Sequence, residues 1–284
     1  MSQQVFLVTG ATGAIGKAIA IQCAIDHNHT VVLACRNKDK AKSVINEIIQ
    51  LTGNLSIFSA LVDLSNYHDI CQLAERWSGP LHVLINNAAS APRRRQETRE
   101  GIELQMATNV LGYFWMVKAF TDILKNSGSA QIINVASYWA GGLDLNDLEF
   151  NKRPYHNDTA YRQSKQANRM LSVAFSDKLK PYRIHVNSCH PGDVNSTLSH
   201  NLGFGGHETP GQAAQTPVWL ATRSYEQQTT GFYYEYRRAV PCLFGRDKEA
   251  IQTYSDQWRK QFGVMLDKAA KKRDEMDAQW GKGI

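Results

Sequence analysis

The sequence predicts an α/β protein: a single doubly wound parallel sheet with helices on both faces, followed by a C-terminal helical extension. Three observations carry this. Apolar runs at residues 5–8, 30–35, 56–62, 81–86, 131–136 and 183–188 lack polar alternation, as strands covered on both faces do. Amphipathic stretches at 14–25, 39–51, 69–77, 102–124 and 159–179 stand between them. Strand, helix, strand repeated about six times implies right-handed crossovers in one open sheet. No linker, repeat or low-complexity block divides residues 1–250, which predicts one domain there and an appended helical segment over 251–284.

Composition narrows the function classes. The 284 residues are 43% apolar and 10% aromatic, enough to offset the entropy of ordering, so intrinsic disorder is excluded. The net charge of +6 comes from 32 basic against 26 acidic residues and is spread thinly, which argues against a nucleic-acid partner. Cys23, Cys35, Cys71, Cys189 and Cys242 are odd in number and widely spaced. No disulfide framework or metal site is expected, only free thiols in a reducing compartment. The N-terminal MSQQVFLVTG has no basic, cleavable leader pattern. The longest mostly apolar stretch, about 11 residues over 110–120, contains Lys118 and is too short to span a bilayer. A soluble cytoplasmic protein is expected.

The first apolar run leads into Thr9-Gly10-Ala11-Thr12-Gly13-Ala14-Ile15-Gly16-Lys17, at the opening of a helical pattern. Gly10 permits a tight turn, Gly13 lets the backbone approach a phosphate, and Gly16 lets the helix pack close to the strand. The helix N-terminus then offers free N–H groups and a positive dipole end to a pyrophosphate. A glycine triplet after a strand and before a helix, in the first βα unit, is the context a dinucleotide site requires.

The second run ends at Ala34-Cys35-Arg36-Asn37, and Arg36 stands 20 residues after Gly16. An acidic residue near that place would bond the ribose 2′-hydroxyl of NAD. A guanidinium instead binds a 2′-phosphate through paired, charge-assisted bonds, and Lys17 adds a second cation in the loop. NADP is therefore favoured. NAD stays open if Arg36 stacks on adenine and Lys17 is solvated. Asp63-Leu64 closes the third run, where Asp63 could accept from an adenine amino group. Asn86-Asn87-Ala88-Ala89 closes the fourth, where small residues allow backbone contact with a ribose.

Tyr161 and Lys165 lie four residues apart in a helical pattern and share one face. Their position gives the pair weight. It follows the fifth run, which closes at Ser137, and borders the nicotinamide end of a doubly wound sheet. Asn109 sits in the preceding helical pattern.

The glycine loop, Asn86-Asn87-Ala88, Asn109, Ser137, Tyr161-x3-Lys165 and Pro191-Gly192 resemble, in order and spacing, the short-chain dehydrogenase/reductase family with its Rossmann-type fold. The resemblance covers residues 5 to about 245. Ala34-Cys35-Arg36-Asn37, residues 101–105, Asn109-Val110-Leu111-Gly112, residues 161–168 and His190-Pro191-Gly192 resemble its retinol dehydrogenase-like branch, as does the long segment from Ser137 to Tyr161. Many members of that branch prefer NADP.

The resemblance implies roles. Tyr161 exchanges a proton with the substrate oxygen. A phenol with pKa about 10 is too weak a base at neutral pH, so Lys165 supplies a charge that lowers it, and also holds the nicotinamide ribose. Ser137 hydrogen-bonds the substrate oxygen. Asn109 holds a water that relays protons towards Lys165. Pro191-Gly192 shapes the nicotinamide pocket and Val194 contacts the carboxamide. Thr12, Ile15 and Asn37 fall at further cofactor positions. Ser196, with Thr197 beside it, occupies a slot where the family often has Thr, which leaves open which hydroxyl serves. Ala89 replaces the usual Gly, adding one methyl beside the cofactor. A cofactor-binding sensor without turnover, or a scaffold on a lipid surface, are the competing classes.

Residues 138–158 and 191–209 form long loops beyond the carboxyl ends of strands, where substrates bind in such sheets. Tyr138, Trp139, Tyr155, His156, Leu198, Leu202 and Phe204, with Tyr233, Tyr234 and Tyr236 later, suit an apolar alcohol or carbonyl such as a retinoid, steroid or lipid aldehyde. The same aromatics could equally pack on the core or on a second subunit. Arg93-Arg94-Arg95 with Arg99 is a solvated loop or an anion contact. Residues 257–280 predict a basic amphipathic helix for packing or dimerisation, which leaves a homo-oligomer open, or for a membrane surface. From 257 onward seven basic and four acidic residues supply +3 of the +6.

Overall fold

The computed structural model describes residues 3–227, 229–242, 244, 263 and 267. The order is β1 (Gln4–Thr9), α1 (Ala14–Ala24), β2 (His29–Cys35), α2 (Lys38–Thr52), β3 (Ile57–Leu61), α3 (Tyr67–Glu75), β4 (Val83–Asn86), α4 (Gly112–Asn126), β5 (Ala130–Val135), α5 (Asn157–Leu179) and β6 (Ile184–Cys189). There follow α6 (Thr197–Asn201), α7 (Pro210–Ala213), α8 (Gln215–Ala221), β7 (Tyr233–Glu235) and β8 (Arg238–Val240). The eight strands form one sheet in the order β3-β2-β1-β4-β5-β6-β7-β8. All pair parallel except β8, which runs antiparallel to β7. Chain order reverses between β1 and β4, and the crevice outside the strand ends at such a switch point is where α/β sheets bind ligands.

The continuous apolar runs are explained by two cores, one on each face. Leu7, Leu84, Ile132 and Val186 point to a cluster with Trp115, Met116, Phe120 and Leu171 from α4 and α5. Their neighbours Phe6, Val8, Ile85 and Ile133 point the other way, to Ile19, Cys23, Ile48 and Leu220. Fully burying a side chain of this size contributes about 1.5–3 kcal/mol, so both faces hold the sheet in register. Helix starts and stops follow local chemistry. The Asn37 side chain caps α2 by accepting from the Lys40 N–H, and α2 ends at Gly53, whose φ of 72° suits glycine.

Two expectations are corrected and one element is added. The run at 56–62 lies at the sheet edge, with Phe58 55% and Leu61 52% exposed, because β3 has a partner on one side only. The helix expected over 102–124 is broken: a π-helical turn at Met106–Leu111 precedes α4. A Cβ on Gly112 would stand 2.6 Å from the Leu64 carbonyl oxygen, so the start of α4 is pressed on the chain leaving β3. The β7–β8 hairpin was not foreseen. Its turn places Tyr236 and Arg237 at φ of 47° and 63°, where Asn and Gly usually stand.

All five cysteines are free. No helix among the described residues is long and apolar enough to cross a membrane. Apart from Gly263 and Asp267, the helix expected over 257–280 lies outside the described residues.

Candidate active site

The crevice is held open by ties between β1 and β4. The Thr9 hydroxyl donates to the Ile85 carbonyl (3.3 Å) and accepts from the N–H groups of Asn87 (2.8 Å) and Ala88 (3.1 Å). The Asn87 amide donates back to the Thr9 carbonyl at 2.9 Å. Gly10 turns the chain with a φ of +63°, and a Cβ there would come within 2.7 Å of the Ala88 Cα. A Cβ on Gly16 would overlap the Gly10 carbonyl and the Asn87 amide. Gly13 is the N-cap of α1, and a Cβ there would meet only the Gly10 oxygen at 3.4 Å. A side chain at 13 would stand in the crevice; bare backbone leaves that space to a phosphate.

A cleft of about 940 Å³ runs along this floor. Its walls include Gly10, Thr12, Gly13, Ile15, Gly16, Arg36, Asn37, Asp63, Leu64, Asn87, Ala88, Ala89, Tyr161, Lys165, Pro191 and Ser196, all singled out from the sequence. A dinucleotide fits this donor set: free helix N–H groups in the middle, cations at the β2 end, and a tyrosine and lysine at the β5–β6 end.

The cations differ from expectation. The Lys17 ammonium pairs with Glu47 at 2.8 Å, and Lys17 is not part of the cleft wall. Lys40, in the first turn of α2, takes that place beside Arg36. The sequence carried a signal for it, a cation one helical turn after Arg36. Arg36 is 69% exposed and stands 3.8 Å from Asp63. Asp63 is itself anchored by the Ser65 N–H (3.0 Å) and hydroxyl (2.7 Å).

At the other end, α5 presents Tyr161 and Lys165 on one face. Lys165 is 1% exposed; its ammonium donates to the Val135 carbonyl at 2.9 Å and lies 5.5 Å from the Tyr161 ring. Burial pulls the ammonium down to about 7. Burial also pushes the Tyr161 phenol up; hydrogen bonding with Ser137 pulls it back, and the Asp193 carboxylate opposes that. Titratable groups displaced from their ordinary values at the end of a cleft mark a functional site. Tyr113, unforeseen, donates to the same Val135 carbonyl at 3.3 Å and places its ring 5.5 Å from the Lys165 ammonium.

Ser137 stands two residues after β5, 6% exposed, and its hydroxyl accepts from the Trp139 N–H at 3.2 Å. Asn109 sits in the π-helical turn. Its carbonyl oxygen accepts from the Ser90 N–H (2.8 Å), and its amide donates to the Ser90 carbonyl (2.9 Å) and the Ser164 hydroxyl (3.1 Å). The Asn109 amide hydrogens are thus taken by protein groups. π-helical turns of this kind concentrate at functional sites.

Both long loops are ordered. Residues 138–158 wrap the Asp147 carboxylate, which accepts from the N–H groups of Asn151 (2.7 Å) and Lys152 (3.1 Å). In 191–209, Val194 bridges to Glu208, Gly192 is backed by the Glu208 carboxylate, and the Ser196 hydroxyl caps α6. Ser196 is therefore engaged in capping, while Thr197 also lines the cleft. Gly192 and Val194 lie behind the wall rather than on it. Trp139 from one loop meets Phe204 from the other, ring centroids 4.4 Å apart, and the Tyr138 hydroxyl donates to Asp193 at 2.6 Å. Tyr155 is a strut between Gln105 and the Pro92 carbonyl, and Tyr233 and Tyr234 are buried in β7.

Residues 4–203 match the family model for short chain dehydrogenase. The chain is 32% identical over 252 residues to human dehydrogenase/reductase SDR family member 12, covering 84% of this chain and 78% of that protein. It is 30% identical over 267 residues to mouse retinol dehydrogenase 13, covering 87% and 80%. A solved structure of an uncharacterized protein from Mycobacterium paratuberculosis superposes with a TM-score of 0.75 at 21% identity, covering 92% of this chain and 93% of that one, and so shares the fold. The chain belongs to the short-chain dehydrogenase/reductase family of oxidoreductases, in its retinol dehydrogenase-like branch.

Proposed function

We propose that the protein is an NADP(H)-dependent oxidoreductase acting on an alcohol or carbonyl, with Tyr161 as the acid/base. The observation that carries this is the meeting of Tyr161 and Lys165 at the end of a cleft floored by the glycine loop. When bound, the cofactor would give a hydride in reduction and accept one in oxidation. Tyr161 gives its proton to the substrate oxygen in reduction and takes one in oxidation. Lys165 holds the nicotinamide ribose, and as a cation favours the phenolate of Tyr161. Ser137, which draws the Tyr161 phenol down, stabilises charge on the substrate oxygen. Asn109 ties the segment after β4, at Ser90, to α5, fixing the cleft wall.

Arg36 and Lys40 favour a 2′-phosphate at the β2 end. The Trp139–Phe204 pair and Leu198 favour an apolar substrate, in keeping with retinol dehydrogenase 13 among the relatives. The test is nicotinamide absorbance with the purified full chain, NADPH and NADH in parallel, across retinoid, steroid and aliphatic carbonyls. Turnover with NADPH on apolar carbonyls is expected. Cofactor binding without turnover on any member of the panel would favour the sensor reading.

A further inference from the structure

Behind Ser137 lies a buried cation that the proposed chemistry does not use. Arg169 continues the α5 stripe of Tyr161 and Lys165 by one more turn and is 7% exposed. Among the described residues no carboxylate stands within ion-pair distance of it. A buried charge without a counter-charge is expensive and survives where it is tightly hydrogen-bonded or stacked.

Arg169 meets both conditions. Its Nη2 donates to the backbone carbonyl of Ser137 at 2.5 Å. Its guanidinium lies 3.4 Å from the centroid of the Tyr233 ring, which β7 holds against β6. Among the described residues its Nε has no partner, so the Ser137 contact and the Tyr233 stack, with the Phe244 ring 5.7 Å away, are what orient the group. The Ser137 carbonyl also accepts from the Ala140 N–H at 3.2 Å. The peptide plane of Ser137 is thereby fixed from two sides, and that plane sets where the Ser137 hydroxyl points.

We propose that Arg169 is a positioning residue: stacked on Tyr233, it clamps the Ser137 carbonyl so that the hydroxyl faces Tyr161 and the substrate oxygen. The proposal rests on the oxidoreductase reading above. It predicts that Arg169 acts on turnover through Ser137 alone.

The test is a double-mutant cycle of Arg169→Met and Ser137→Ala, read as kcat with NADPH, with NADPH affinity measured by fluorescence in the same samples. In the wild-type background, Arg169→Met is expected to lower kcat by about tenfold to hundredfold, as a small misplacement of a catalytic group does, with NADPH affinity changed by less than about twofold. In the Ser137→Ala background the same change should lower kcat by less than about twofold. Hydrogen exchange should quicken in residues 136–142 and not in β4. Where Arg169→Met does not fold, Arg169→Lys serves: it keeps a donor but loses the planar stack, and its smaller loss should again vanish in Ser137→Ala.

A kcat unchanged by Arg169→Met, or losses equal in both backgrounds, or a kcat loss matched by weaker NADPH binding, would overturn the proposal. If the wild type turns over but Tyr161→Phe does not, such a result fails the Arg169 inference alone. If the wild type turns over nothing, the oxidoreductase reading and the inference fall together.

Discussion

The two ends of the cleft are built from different materials. At the cofactor end the wall is mostly backbone: the Gly10 turn, the bare face of Gly13, and the close approach of Gly16 to Gly10 and Asn87. Around the Tyr161 end the supporting contacts are side chains brought from far apart in the chain: Trp139 on Phe204, Tyr138 on Asp193, Arg169 on Tyr233 and Ser137. A backbone wall tolerates almost no change and serves any dinucleotide. A side-chain wall can be rebuilt residue by residue, which is how one fold takes many substrates.

The largest effect is expected where backbone meets backbone. Gly16→Val places atoms inside the Gly10 carbonyl and the Asn87 amide, and NADPH affinity should fall by about a hundredfold or more, measured by fluorescence titration. An affinity within tenfold of wild type would mean that this wall yields as side chains do. Next in size is the proposed contact with a 2′-phosphate. Arg36→Asp should move preference from NADPH towards NADH by about tenfold to hundredfold, because a charge-assisted pair becomes a repulsion. Lys17→Ala should change NADPH affinity by less than about twofold, because its ammonium is already paired with Glu47.

At the substrate end the expected changes are smaller and confined to substrate. Trp139→Ala removes an aromatic pair and should raise KM for an apolar carbonyl by about twofold to tenfold, leaving NADPH affinity unchanged. Equal losses in both would make the aromatic bridge part of the cofactor site. The smallest effect concerns acid stability. Burial pulls the His190 imidazole from 6.5 down to about 4. Below pH 6.5 the unfolded chain binds the proton that the folded chain refuses, so this group lowers stability as pH falls from 6.5 to 4, and adds no further loss below. His190→Asn should flatten the fall of Tm across that window. An unchanged slope would place the acid lability elsewhere.

What could be read in the sequence follows the same division. The strand runs, the glycine loop, Arg36, and the Tyr161–Lys165 pair are local patterns, and strict spacing in the chain becomes strict geometry in the crevice. The β7–β8 hairpin escaped because Tyr236 and Arg237 take positive φ angles without the residues that announce them. Lys17 and Lys40 exchanged places because a cation on a helix chooses among distant partners, and Glu47 is 30 residues away. Arg169 was silent for the same reason: its partners, Ser137 just after β5 and Tyr233 in β7, are far from it in the chain. Tyr155 and Tyr233 looked like lid residues by composition, yet one is a strut and the other core.

The proposed role of Tyr161 is in chemistry and not in cofactor binding, although it lines the cleft. The direct measurement is NADPH affinity and carbonyl turnover in one preparation of Tyr161→Phe beside wild type. Tyr161→Phe is expected to bind NADPH within about twofold of wild type while kcat falls by about a hundredfold or more, the loss expected for a positioned acid/base. Wild-type turnover in Tyr161→Phe, or a loss of turnover fully matched by a loss of NADPH binding, would contradict that role.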